Sequence, residues 1–246
     1  VPQPIHFTAT VEQVKRHDKN VATYRMRADR RLPRFIPGQF IHLSVHEYDY
    51  AGFWPESRVF SVANAVSDRQ TIEITVSRQG RYTGRILDEV QVGSMLWGKG
   101  PYGQFSVDGS RGHGRTVLVA GGTGITPFCA FMDAALANGK LAPRETILHY
   151  GARAPELLIY RSLADECAVR VPGFQVFYYS EHGSAENDPA VHAGALDIDR
   201  VVARTIGARD AAYYLSGPRS MIDTFQARLL SFHCMSQEQV LIDAWE

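Results

Sequence analysis

The 246-residue sequence predicts two domains of different class: a six-stranded antiparallel β-barrel over residues 1–110, then an α/β domain with a parallel sheet over 111–246. Three observations carry this. From residue 7 to 107 short apolar segments alternate with turn residues, and no helical stripe is seen until 83–90. At Asp108-Gly109-Ser110-Arg111-Gly112-His113-Gly114 the composition becomes glycine-rich, as in a flexible join. Beyond it strand-like and helix-like stretches alternate, as a parallel sheet with crossover helices requires.

In the first half the expected strands are 7–14, 21–27, 39–45, 58–63, 71–76 and 95–99. Closing strands of this length into a barrel removes exposed edges. Pro37-Gly38 is a turn directly before the third strand, and 49–55 is an aromatic-rich loop to which the sequence assigns no role. In Phe40-Ile41-His42-Leu43-Ser44-Val45-His46 the period of two puts His42, Ser44 and His46 on a polar strand face. Two histidines without a third ligand do not make a metal site, so no metal is expected. In the second half, 116–120 reads as a buried strand and 127–136 as a helix stopped by Asn138-Gly139. Further elements follow at 147–150, 157–164, 174–179, 198–205, 211–215, 221–232 and 240–242.

Composition narrows the function. Lys plus Arg equals Asp plus Glu at 26 each, so no global basic field recruits nucleic acid or a membrane surface. No apolar run is long enough to cross a bilayer and Val1-Pro2-Gln3-Pro4 lacks a signal-peptide pattern, so a cytoplasmic protein is expected. A first residue other than Met leaves open that an upstream segment has been removed. Cys129, Cys167 and Cys234 are too scattered for a disulfide framework or an iron–sulfur cluster and read as small buried hydrophobes.

Two stretches look built to receive phosphate. Gly121-Gly122-Thr123-Gly124-Ile125-Thr126-Pro127 follows a buried strand and opens a helix. Glycines allow close backbone approach, Pro127 pre-sets the first turn, and unpaired helix N–H groups attract an anion. Pro127 stands where the dinucleotide fingerprint has its third glycine, and a plain tight turn is the alternative. In the first half, Arg58-Val59-Phe60-Ser61 combines a guanidinium that can grip a pyrophosphate, an aromatic plane and a hydroxyl. Gly80-Arg81-Tyr82-Thr83-Gly84 then opens the only helix of that half, whose amides and Thr83 can receive a phosphate. An edge-strand Arg and a capping Thr are the alternatives. Arg25, Arg27, Arg30, Arg31 and Arg34 form a basic patch, either a docking site for an acidic partner or a solvated face.

With these motifs in order, the chain resembles the ferredoxin–NADP reductase-like flavoproteins, especially reductase components of bacterial oxygenases. The Arg-x-Tyr/Phe-Ser motif, Gly80 to Thr83, and Gly100-Pro101-Tyr102-Gly103-Gln104-Phe105 match its flavin half. The glycine loop, Tyr150-Gly151-Ala152-Arg153, and Leu215-Ser216-Gly217-Pro218-Arg219-Ser220-Met221 match its nucleotide half. The resemblance implies FAD, with FMN as the alternative, held by Arg58, Val59, Phe60, Ser61, Gly80, Tyr82 and Thr83, with Ser61 near the reactive N5. It implies a pyridine nucleotide held by Gly122, Thr123, Gly124, Thr126, Pro127, Arg153, Ser180, Glu181, Gly217, Pro218 and Met221. Phe60 replaces the commoner Tyr, and Ser216 stands where many members carry Cys. Asp243 and Trp245 resemble the family's terminal carboxylate and aromatic lid, Trp245 covering the flavin or else plugging the structure.

Glu181 can accept ribose hydroxyls and repels a 2′-phosphate, which favours NADH over NADPH; Arg153 nearby argues the other way. The implied activity is hydride transfer from NAD(P)H to flavin, followed by single-electron delivery to a ferredoxin, another iron–sulfur protein or an oxygenase. A free-flavin or ferric reductase, and a sensing subunit that does not turn over, are the alternatives.

Overall fold

The computed structural model describes residues 3–49, 51–65, 67–107, 113–139, 145–183, 188–205 and 207–243. The chain forms two compact units, 1–106 with 129–131, and 107–128 with 132–246. The boundary read at 110/111 lies outside the described residues, as does Trp245.

The first unit contains β1 (Ile5–Arg16), β2 (Val21–Ala28), β3 (Phe40–Ser44), β4 (Arg58–Ser61), β5 (Thr71–Ser77), α1 (Arg81–Glu89) and β6 (Met95–Tyr102). The antiparallel order is β4-β3-β6-β1-β2-β5. Just past β4 the chain reaches back to β5: Ala63 N–H donates to Glu73 O at 2.8 Å, and the Asn64 side chain donates to Thr71 O and accepts from Glu73 N–H. That bridges the two edge strands and gives the near-closed barrel expected. Alternate residues of every strand point inward, so Phe7, Tyr24, Met26, Ile41, Leu43, Phe60, Ile72 and Ile74 make one core with Ile86 and Leu87 of α1.

The second unit contains β7 (Arg115–Gly121), α2 (Thr126–Asn138), β8 (Glu145–Ala152), α3 (Arg161–Arg170), β9 (Phe174–Ser180), β10 (Val191–Ala193), α4 (Ile198–Arg204), β11 (Ala211–Ser216), α5 (Arg219–Ser231) and β12 (Val240–Ile242). Its sheet is parallel throughout, in the order β10-β9-β8-β7-β11-β12. β7 and β11 are buried along almost their whole length, which is why they read as continuous apolar runs. Gly139 ends α2 in the left-handed region at φ 66°, the stop expected there.

Three expectations are corrected. The helix placed at 157–164 begins at Arg161 and runs to Arg170. Pro155 starts a separate 3-10 turn and Leu158 is not helical, while only Ala164 and Cys167 are buried, so the apolar signal is too thin to set the register. Cys234, read as a small buried hydrophobe, is exposed just past α5, whereas Cys129 and Cys167 are buried as expected. Ser44 is not on a polar face: it is fully buried, its hydroxyl donating to Glu56 O at 2.8 Å and accepting from His46 N–H. His42 is half-buried against Phe40 and Tyr102. Among the described residues no helix is long and apolar enough to cross a membrane, and no group of His, Cys, Asp or Glu is placed to hold a metal ion.

Candidate functional site: two phosphate-receiving ends

In the barrel, the structure brings together the two flavin motifs. β4 ends the sheet, so Arg58 stands exposed at its start, and its guanidinium lies 4.6 Å from the Tyr82 ring centroid in the first turn of α1. Arg58 pairs with Glu56 at 2.9 Å, both about half exposed at 47% and 57%. Such a pair is worth about 0–1 kcal/mol and yields readily to a phosphate. Gly80, the residue before α1, has open space where a side chain would project. An exposed guanidinium beside an open helix start fits a flavin phosphate.

The other residues of these motifs divide between site and scaffold. Thr83 Oγ1 accepts the N–H groups of Gln79 and Gly80 at 2.8 and 3.2 Å, so it already caps α1. Tyr82 is 6% exposed, and its hydroxyl donates to Glu56 O and accepts Val45 N–H, tying α1 to the barrel wall. Phe60 sits in the barrel core at 8% exposure, which leaves only part of its ring for a flavin. Val59 and Ser61, half-buried, face the other way, opposite His42 and Phe40. Glu56, absent from the sequence reading, is the partner that its nearness to Arg58 would have suggested.

In the second unit the loops after β7 and β11 meet. A Cβ on Gly124 would fall 2.4 Å from Gly217 N, and one on Gly121 would fall 2.7 Å from Met221 Sδ. Gly217 holds φ 151°, a conformation that suits only glycine. The stretch from Gly122 to Ile125 is not an open loop but a 3-10 turn running straight into α2, with Pro127 in the first helical turn. Thr126 donates its hydroxyl to Thr123 O at 3.0 Å. Gly122, at φ 55° with open space on its missing side chain, is the one glycine of the run that leaves room for a ligand. Pro218 is exposed beside this turn.

Ser216 and Asp243, 27 residues apart, are adjacent. The Ser216 hydroxyl donates to Asp243 Oδ2 at 3.2 Å, and both are buried, at 0% and 4% exposure. Burial pushes the Asp243 carboxyl up to about 6, against the lowering pull of that hydrogen bond. At the far edge of the sheet, backbone bonds pair the turn after β8 with that after β9: Glu181 N–H donates to Ala152 O and His182 N–H to Arg153 O. Arg153 and Glu181 are therefore neighbours, both exposed. Ser180 is buried, its hydroxyl bound to His182 O, so it shapes the turn. The basic patch is largely neutralised where it stands: Arg25 pairs with Glu73, Arg27 with Asp68 and Arg30 with Asp29.

A barrel with Arg58 at an open helix start, followed by a parallel sheet with a glycine turn at its strand ends, offers two places of the kind that receive nucleotide phosphates. Comparison with known sequences bears on both halves: the oxidoreductase FAD-binding domain family matches residues 8–107 and the oxidoreductase NAD-binding domain family matches 118–227. The chain belongs to the ferredoxin reductase-like flavoprotein oxidoreductases. It is 29% identical over 213 residues to the ferredoxin–NAD(+) reductase component of an alkene monooxygenase system from Xanthobacter autotrophicus, covering 85% of this chain and 61% of that protein. It is 32% identical over 208 residues to the reductase component of a phenol 2-monooxygenase from Pseudomonas, covering 80% and 54%. A crystal structure of an Amycolatopsis cytochrome P450 reductase superposes with a TM-score of 0.80 at 25% identity, covering 98% of this chain and 70% of that one. The chain thus spans about half to three-fifths of the curated relatives it matches.

Proposed function

We propose that this chain takes electrons from NADH onto bound FAD and passes them singly to a redox protein, an iron–sulfur protein or an oxygenase. The observation that carries the reading is the occurrence, in one chain, of Arg58 beside an open helix start in the FAD-binding domain and of Gly122 with open space where a side chain would project in the NAD-binding domain. Bound FAD supplies the redox chemistry, accepting two electrons together and releasing them one at a time.

The residues have separate tasks in this reading. Residues 1–110 hold the flavin, Arg58 neutralising its phosphate and Ser61 donating to the ring. Residues 111–246 hold the nucleotide, with pyrophosphate on the 122–125 turn and ribose at Glu181, whose carboxylate favours NADH. Asp243, near 6, can hold or release a proton close to neutral pH, and Ser216 keeps it oriented. The oxygenase and ferredoxin connections of the relatives support the choice of acceptor, and a supply of NADH supports a cytoplasmic setting.

Anaerobic addition of NADH to the FAD-loaded protein tests this directly. Rapid loss of the yellow flavin colour, with faster reoxidation by a protein acceptor than by free flavin or ferric salts, is expected. Saturating turnover with those small acceptors alone would replace the partner reading, and persistent colour would replace the enzyme reading with a sensor. Trp245→Ala tests the proposed lid: nucleotide affinity and reduction rate should both change.

A further inference from the structure

The loop joining β3 to β4 contains Tyr48, Tyr50, Phe53 and Trp54, and the cofactor sites use none of them. Tyr48 and Trp54 fold back against β1. The rings of Tyr48 and Trp54 lie 4.9 and 5.3 Å from that of His6 on β1, and 5.0 Å from each other. Trp54 is fixed at its indole N–H, which donates to Ser57 Oγ at 2.9 Å.

Strand register sets a cation beside these rings. His6 is opposite Lys99 on β6, and Lys99 is opposite His42 on β3. The Lys99 ammonium lies 5.7 Å from the Trp54 centroid and 5.6 Å from that of Tyr102. Tyr102 stacks on Phe40 and meets His42 edge-on. Among the described residues no carboxylate pairs with Lys99, although the lysine is half-buried. Burial first, and then the Lys99 charge, holds His6 and His42 below the usual histidine range, so near pH 7 both are uncharged and the patch carries one positive charge.

We propose that this face binds a small planar aryl carboxylate, its ring against Trp54 and Tyr102 and its carboxylate on Lys99. Aromatic faces on either side of an ammonium select a ring joined to an anion. A single ammonium balances the one charge of a carboxylate, whereas a phosphate monoester carries nearly two near pH 7. Phe53, fully exposed beside Trp54, extends the apolar surface. The face lies on the side of β4 to which Val59 and Ser61 point, since His42 pairs with Val59 and Phe40 with Ser61, while Phe60 turns into the core. It therefore borders the flavin residues, and the FAD-loaded chain is the form to test.

The test is a titration of the FAD-loaded full chain with 2-naphthoate, followed by tryptophan fluorescence. Saturable binding is expected, weakened about tenfold or more by Lys99→Met and by Trp54→Leu and retained by Lys99→Arg. Cyclohexanecarboxylate and neutral 2-naphthalenemethanol should each bind about tenfold more weakly or worse. Flavin content of each variant checks its fold, and Lys99→Arg decides the matter should Lys99→Met not fold. Binding that is non-saturable, unchanged in Lys99→Met, or displaced by FAD or NADH would overturn the proposal. None of these outcomes depends on NADH reducing the flavin.

Discussion

At the scale of single residues, Asp243 links the site to stability. Its carboxyl is raised from 3.8 to about 6, so between these values the native chain holds a proton that the unfolded chain has released. By linkage, stability falls as pH rises through that window, and above it the buried charge costs roughly 3 kcal/mol. Asp243→Asn should therefore gain stability over the parent above pH 6, by up to about 3 kcal/mol, and gain nothing near pH 3.5, as urea melts at the two pH values would show. Arg58→Gln should weaken FAD binding by about tenfold or more, because a hydrogen bond to a charged group is worth about 1.5–3 kcal/mol. Fluorescence titration of the flavin-free protein measures this. Glu181→Arg should move the ratio of kcat/KM for NADPH over NADH upward by about tenfold or more, and an unmoved ratio would remove Glu181 from nucleotide choice.

At the scale of elements, glycines only two residues apart in sequence behave differently. Gly124→Ala puts a methyl against the Gly217 backbone, which has nowhere to go, so a loss of about 1–3 kcal/mol or failure to fold is expected. Gly122→Ala meets no atom and incurs only the left-handed conformation, about 1–2 kcal/mol, while obstructing the nucleotide. Thermal melts combined with nucleotide titration separate the two effects. Strands such as β1, β2 and β5 were legible because each keeps one face in the core and so alternates along its length. The start of α3 was not, since Pro155 sets a turn that imitates a helix start, and β10 is too short to show any period. The contact of Gly124 with Gly217 was equally hidden: backbone touching backbone leaves no side-chain pattern, although each loop was individually visible. Ser216 and Asp243 were each singled out by resemblance, which implied that the usual Cys–carboxylate pairing is absent or changed, and their hydrogen bond across 27 residues shows serine in the place of that cysteine. The Tyr48, Trp54 and Lys99 cluster depends on strand register that the loop sequence does not encode.

At the scale of the whole molecule, a formal net charge of zero leaves no net monopole field to steer small charged acceptors. Turnover with ferricyanide should accordingly change by no more than about twofold between low and high salt, as stopped-flow or steady-state rates would check. A protein acceptor that meets a local charged surface should show a steeper response. Two-domain order and barrel class were readable along the chain because the change from period two to strand–helix alternation is a property of long stretches, robust to local error. The seam where the ends of β7 and β11 meet has one more consequence. Where Gly124 meets Gly217 the contact is backbone on backbone, so a disturbance of one loop should reach the other at the level of peptide groups. Glycine-selective isotopic labelling would turn Gly121, Gly124 and Gly217 into a built-in set of reporters, able to register nucleotide arrival without any foreign dye.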